Sequence, residues 1–226
     1  VATQTKRKRI VSKDYAFMEI KQRIISGELA PGQPLVEENL TNELEISRTP
    51  LREALQRLEM EELVVRQPNG RLRVASISKK EVEEIFVARS ILEGIIAGQV
   101  AKIASEQDIQ NLTDILRMIK AGYENSDYEE IIYYGSEFHS CLYEISGNKT
   151  IVKILSMLND HIQRYRQLFQ RGGQERTAQA VIEHTEILEK IIAKDSVAAE
   201  MAMRNHIQCS LETLLANIDN LQNDEQ

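Results

Sequence analysis

The last proline of the chain is Pro68, and the sequence then runs to Gln226 without another. Proline inside a helix removes an N–H and clashes with the preceding turn, so a long proline-free stretch leaves extended helices open. β-rich folds need many turns, and 10 Gly with 4 Pro supply few breakers. From Ser78 onward the apolar pattern is continuously helical, with helices expected near 78–104, 106–122, 127–146, 148–171, 174–193 and 196–221. Ser105, Gly122, Ser126, Gly147, Gly172-Gly173, Asp195 and Ser196 mark the stops and starts, and Ser78-Lys79-Lys80-Glu81 reads as a capping box. Residues 77–226 are therefore expected to form an all-α helical bundle of about six helices, with frayed last residues Asn223-Asp224-Glu225-Gln226.

Residues 12–76 read differently. Ser12 can open a helix through about Ser26, with Ala16, Ile20, Ile24 and Ile25 on one face and Gly27 as its stop. Leu29-Ala30-Pro31-Gly32-Gln33-Pro34 is a turn-rich connector. A short helix is expected over Val36–Leu44, a tight joint at Glu45-Ile46, and a third helix from Ser47 to Met60 with Leu51, Ala54, Leu55 and Leu58 as its apolar stripe. Leu63-Val64-Val65-Arg66 and Leu72-Arg73-Val74 read as two short strands, and Asn69-Gly70 between them favours a hairpin because both residues tolerate positive φ. Residues 1–11 read as a flexible arm. The fold class is mainly α: an N-terminal winged helix-turn-helix with a small two-stranded wing, followed by the helical bundle.

The charge divides with the fold. Residues 1–76 carry 13 Lys and Arg against 11 Asp and Glu, and residues 77–226 carry 15 against 24, within a net charge of −7. The acidic part keeps the chain soluble while the basic part approaches phosphates, although four of the 13 cations sit in the arm. A transmembrane helix needs about 20 mainly apolar residues, and no such run is present. The basic start is not followed by an apolar stretch, so a secretory signal is not expected. Cys141 and Cys209 cannot build a disulfide framework and read as buried free thiols in a reducing cytoplasm. Aromatics at 5% with no Trp argue against a large aromatic ligand box.

In a winged helix-turn-helix the second helix of the motif enters the DNA major groove. The third helix opens Ser47-Arg48-Thr49-Pro50-Leu51-Arg52. Pro50 is compatible with a first turn, whose N–H groups lack intrahelical partners, and Ser47 or Thr49 can cap those groups. Arg48 and Arg52 are four apart and share a face; arginine can contact guanine O6 and N7 together. Arg57, farther along, reaches the phosphate backbone or solvent. Asn69, Gly70 and Arg71 form the wing tip. Two arginines four apart are by themselves ordinary solvated surface; the complete element order is what turns them toward DNA.

Two segments, Ile24 to Leu40 and Leu44-Glu45-Ile46-Ser47-Arg48-Thr49-Pro50-Leu51-Arg52-Glu53-Ala54-Leu55-Gln56-Arg57-Leu58-Glu59, resemble the opening of GntR-family bacterial regulators. The resemblance covers residues 12–76 and implies that Arg48, Thr49 and Arg52 read the operator. Some family members carry a DNA-contacting Arg where this chain has Glu38, which cannot make that contact favourably near phosphates.

Four histidines occur: His139, His161, His184 and His206. Helical neighbours place His184 and His206 inward, and His139 shares a helix with Ile131, Ile132 and Phe138. A buried imidazole needs a hydrogen bond or a metal, so each is either a satisfied core residue or a ligand, and spacing alone does not bring three helices together. His161 reads as packing or as pocket lining. The bundle resembles the FCD effector domain of the FadR-type branch, through Val87-Ala88-Arg89-Ser90-Ile91-Leu92-Glu93, Phe138-His139, Ser146-Gly147-Asn148, His184-Thr185-Glu186-Ile187-Leu188, Asp195 and Met203-Arg204-Asn205-His206-Ile207. That resemblance implies a divalent metal, zinc or nickel, held by His139, His184 and His206. Metal-binding members also carry an Asp four residues before the first histidine. Here that position is Gly135, so water, an effector carboxylate or Glu137 would have to compensate. Branches that bind fatty acyl-CoA lack the histidines. The resemblance further implies a small organic acid as effector, for which Arg89, Tyr134 and Arg164 are candidate contacts; an Arg89–Glu93 salt bridge is the plainer alternative for Arg89.

The expected function is a cytoplasmic, homodimeric, ligand-responsive transcriptional repressor that binds a pseudo-palindromic double-stranded operator and a small carboxylate. It is not expected to be an enzyme or to meet a membrane. One alternative is a metal-dependent hydrolase on the three histidines, but no HExxH pattern occurs and Glu137 lies two positions from His139, on a diverging face. The other is a helical interaction protein that does not bind DNA.

Overall fold

A computed structural model describes the backbone of residues 2–168 and 173–224 and the side chains of residues 12–166 and 176–218. The chain divides into two compact units, Val1–Ser78 and Lys79–Gln226.

In the first unit, α1 (Ala2–Ile25) is followed by β1 (Pro34–Leu35), α2 (Glu37–Glu43), α3 (Arg48–Met60), β2 (Val64–Arg66) and β3 (Leu72–Val74). Ala16, Ile20 and Ile24 of α1, Leu40 and Leu44, the Leu51/Ala54/Leu55/Leu58 stripe of α3, and Val64 and Val74 of the sheet close into one core. The joint between α2 and α3 turns at Glu45, whose φ is 51°. The β2–β3 turn uses Gly70, at φ 79°, with its N–H on the Gln67 carbonyl at 2.8 Å. Pro68 and Asn69 occupy the central positions, and the Asn69 Oδ1 accepts from the Arg71 N–H at 3.0 Å. Only Gly70 of the Asn-Gly pair therefore takes the left-handed conformation.

Two expectations are corrected here. The sheet has three strands, in the order β1-β3-β2, because the end of the connector pairs with the wing: Pro34 faces Arg73 and Leu35 faces Leu72. Pro34 fits an edge strand, where a missing N–H breaks no ladder, and Leu35 is buried. The second correction concerns the arm. α1 begins at Ala2, so residues 2–11 are its first turns, built from Thr, Gln, Lys and Arg without a glycine or proline break; Val1 lies outside the described residues.

The second unit is all helical: α4 (Lys79–Ile103), α5 (Glu106–Glu124), α6 (Tyr128–Ser146), α7 (Lys149–Leu168), α8 (Gly173–Ile192) and α9 (Ser196–Asp224). Gly172, expected as part of a break, and Glu225-Gln226 lie outside the described residues, while Asn223 and Asp224 continue α9 rather than fraying. Ser105 caps α5 through a reciprocal capping box with Asp108, and Asp127 caps α6 by accepting from the Glu130 N–H. The longest packing seam is α4 against α9. Glycines make that approach possible: a Cβ on Gly94 would lie 2.8 Å from Arg204 Cγ, and one on Gly98 would lie 3.0 Å from the Ser196 carbonyl oxygen.

Candidate functional site

Ser47, Arg48, Thr49 and Arg52 are exposed at the start of α3, and Asn69, Gly70 and Arg71 are exposed at the turn between β2 and β3. Pro50 and Leu51 between them are buried, which anchors the helix start and leaves the flanking side chains outside. Ser47 stands at the N-cap with an extended backbone, but its hydroxyl makes no cap bond. Arg52 keeps 61% of its side chain exposed while its Nε donates to both carboxylate oxygens of Glu37, at 3.1 and 2.9 Å. Arg57 departs from expectation. Its Nη1 bonds Asp14 at 2.8 Å and its guanidinium lies 3.8 Å from the Phe17 ring centroid, so it ties α3 to α1.

In the second unit, His139 of α6, His184 of α8 and His206 of α9 are buried, and one ligand atom from each lies within 4.8 Å of the others. Their tautomers follow from their partners. His139 Nδ1 faces the Glu93 carboxylate, His206 Nδ1 faces Glu183 Oε2 at 2.7 Å, and His184 Nδ1 faces the Ala180 carbonyl oxygen at 2.7 Å. Carbonyl and carboxylate oxygens only accept, so each Nδ1 carries the proton and each Nε2 presents a lone pair. His139 Nε2 and His206 Nε2 then face each other at 3.2 Å, and His184 Nε2 is buried without a partner. Lone pairs in such proximity repel one another unless a cation lies between them. Three neutral imidazoles, each oriented by an acceptor behind it, are a donor set suited to zinc or nickel.

The electrostatics keep these rings neutral. Burial, then the neighbouring His206 and His139, push His184 well below the ordinary histidine value. Burial, then His139 and Arg176, do the same for His206. Burial also lowers His139, against the opposing pull of Glu93. For Glu93 burial would raise the carboxyl, but Arg89 and His139 outweigh it and hold it far below the usual range.

Arg89 lies against Glu93 and also lines a cavity beside the histidines, so both of its expected roles meet in one side chain. Tyr134 and Arg164 do not line that cavity. Tyr134 packs edge-on against Tyr133. Arg164 sits with Glu81 and Tyr165, and burial lowers its guanidinium pKa. His161 lies there as well, 3.4 Å from Glu81. Arg166 and Arg176 line the cavity instead. Arg166 follows Leu155 and Ile162 along one helical stripe, a spacing visible in the sequence; Arg164 lies off that stripe. Arg176 donates to Glu183 Oε2 at 3.0 Å within α8 and to Ser210 Oγ of α9 at 2.8 Å, and local pattern cannot show the second of these. Gly135 also lines the cavity, and a Cβ there would meet nothing within 4 Å. Glu137 is exposed and does not line it, so it is not placed to compensate for Gly135 or to act as a hydrolytic base. Cys141 and Cys209 are free and half-buried rather than fully buried.

Residues 13–74 match the family model described as bacterial regulatory proteins, gntR family, and residues 84–208 match the FCD domain. The HTH-type transcriptional regulator YdhC of Bacillus subtilis is 28% identical over 199 residues, covering 88% of each chain. The gluconate operon transcriptional repressor of Bacillus licheniformis is 25% identical over 204 residues, covering 90% of this chain and 81% of its own. Among solved structures, Escherichia coli McbR/YncC superposes with a TM-score of 0.70 at 22% identity, covering 95% of this chain and 99% of its own. No helix among the described residues is long and apolar enough to cross a membrane. A winged unit with arginines exposed at its recognition helix, joined to a helical unit of matching family, makes this chain a DNA-binding transcriptional regulator, not an enzyme, and a member of the GntR family with an FCD domain.

Proposed function

We propose that the chain is a ligand-responsive repressor whose helical unit binds a divalent metal and a small carboxylate, and through them sets operator affinity. The convergence of three Nε2 lone pairs, one of them buried without a partner, carries this assignment. His139, His184 and His206 would hold zinc or nickel, which when bound supplies a Lewis-acid position for a carboxylate. Gly135 leaves that side of the site open, so water or the effector completes the ion's shell. Arg89 lines the cavity with a buried Nη1 that has no partner, and is suited to the same anion.

Ser47, Arg48, Thr49 and Arg52 read the major groove, and Asn69, Gly70 and Arg71 approach the adjacent groove. A homodimer doubles these contacts on a pseudo-palindromic operator in the cytoplasm. An effector with different affinities for two arrangements of the dimer shifts their populations by the ratio of those affinities. The repressor named for the gluconate operon in Bacillus licheniformis supports the sign of regulation.

Fluorescence anisotropy tests the proposal, using full-length protein and a pseudo-palindromic fragment that the protein selects from a random-sequence pool. Arg52→Ala should cost about 1–3 kcal/mol on the selected fragment and much less on random DNA; equal losses would reduce Arg52 to a backbone contact. Zinc and a small acid together should change affinity for the selected fragment, and His184→Ala should abolish that change. Identical affinities in all these states would end the effector reading while leaving DNA recognition intact.

A further inference from the structure

The cavity beside the histidines changes character along its length. At the histidine end it is cationic: Arg89, Arg166 and Arg176 line it, and among the described residues no carboxylate does. The Arg176 guanidinium is held at that end, because Glu183, which it contacts, also accepts from His206. Away from the histidines the lining turns apolar. Stepping back along α6 from His139, the lining residues are Gly135, then Ile132 and Ile131, then Tyr128; along α9 from His206 they run through Ser210 to Leu214, and α4 adds Phe86. The α6 stretch corresponds to about 16 Å of helix rise.

Two of the hydroxyls on this path are engaged within the protein. Thr213 donates to the Cys209 carbonyl at 3.0 Å, and Ser210 Oγ accepts from Arg176. The cavity volume is about 160 Å³, room for roughly five water molecules. That space suits a small acid. A polyhydroxylated tail would place hydroxyls against Ile131, Ile132 and Leu214, side chains that offer no hydrogen bond, and a second carboxylate would sit against the same apolar groups.

We infer that this cavity takes a monocarboxylate with a short apolar tail, its carboxylate among the histidines and arginines and its tail against Phe86, Ile131, Ile132 and Leu214. The inference rests on the effector reading above and narrows it, separating this chain from any regulator whose ligand is a sugar acid. Recognition by an apolar wall rejects a polar analogue because each hydroxyl left unpaired costs roughly tenfold in affinity.

Three six-carbon acids test it: hexanoate, adipate and gluconate, titrated calorimetrically into full-length protein carrying one equivalent of zinc. Hexanoate should bind at least tenfold more tightly than either of the others. Gly135→Leu, whose side chain enters the open space beside Gly135, should weaken hexanoate at least tenfold, with a cooperative melting transition showing that the fold is intact. Gluconate or adipate binding as tightly as hexanoate would overturn the apolar-tail inference and leave the metal-and-acid reading standing. Undiminished hexanoate binding by Gly135→Leu would overturn the placement of the acid in this cavity. Failure of all three acids to bind zinc-loaded protein would overturn both the inference and the effector reading.

Discussion

Replacing Glu93 by Gln removes one negative charge from the interior and strands a positive one. Glu93 is 0% exposed and Arg89 1% exposed, and the same carboxylate also faces His139 Nδ1. Breaking a buried pair by removing one partner costs about 3–5 kcal/mol, because the remaining charge is left without compensation. The Gln carbonyl can still accept one hydrogen bond, which places the expected loss near ~3 kcal/mol. At roughly 2–4 °C per kcal/mol for a unit of this size, the metal-free melting temperature should fall by about 6–12 °C, measured by circular dichroism at pH 7.5. Zinc affinity should fall about 10–100-fold, since the group that orients a ligating imidazole is weakened. A double variant, Arg89→Met with Glu93→Leu, separates the two effects. It should recover most of the stability, because neither charge remains, and none of the metal affinity, because His139 Nδ1 still lacks its acceptor. A Glu93→Gln melting temperature within about 2 °C of the parent would refute the reasoning, since it would mean that Arg89 does not depend on Glu93 for compensation.

Stability of the metal-free protein should fall as pH drops below about 6.5, by up to ~1.4 kcal/mol per pH unit for each histidine involved. The sign follows from the depressed values of His139, His184 and His206: the unfolded chain takes up protons that the folded chain refuses, so the stabilisation is complete above the unfolded value and is lost as pH falls toward the folded ones. A urea midpoint unchanged between pH 7.5 and 5.5 would contradict this. Gly98→Ala and Gly135→Ala should move the melting temperature in opposite directions. The first forces a Cβ to 3.0 Å from the Ser196 carbonyl oxygen and should cost about 1–2 kcal/mol net of the helix-propensity gain. The second meets nothing within 4 Å and should add about 0.5–1 kcal/mol; shifts of the same sign would show that the α4–α9 seam yields freely.

Several features were legible locally. The absence of proline after Pro68, the apolar periodicity and the Ser105, Ser126 and Gly147 boundaries each act within a turn or two of helix, and the observed helices follow them closely, with Asp127, one residue after Ser126, as the cap of α6. The exposure of Arg48 and Arg52 was legible for the same reason, because Leu51, Ala54, Leu55 and Leu58 claim the buried face of α3. Contacts made at long range are not written in local pattern. Pro34-Leu35 reads as connector until β3 arrives to pair with it. Arg57 reads as solvated until Phe17 and Asp14, far away in sequence, take it up. Tyr134 and Arg164 lie close in sequence to His139 and His161, whereas cavity lining depends on the rotation of each helix.

Local sequence therefore determined where helices start and stop, which face of each is buried, and which cations of α3 remain outside, because periodicity, capping and turn chemistry are short-range forces. Tertiary packing alone decided that three histidines on separate helices present lone pairs to one another, that Glu93 and Glu183 stand behind two of them, and that Arg176, rather than Tyr134 or Arg164, joins Arg166 around the cavity. Those meetings depend on how whole helices pack and rotate against their neighbours, as when Gly94 and Gly98 let α9 approach α4, and no local pattern encodes that rotation.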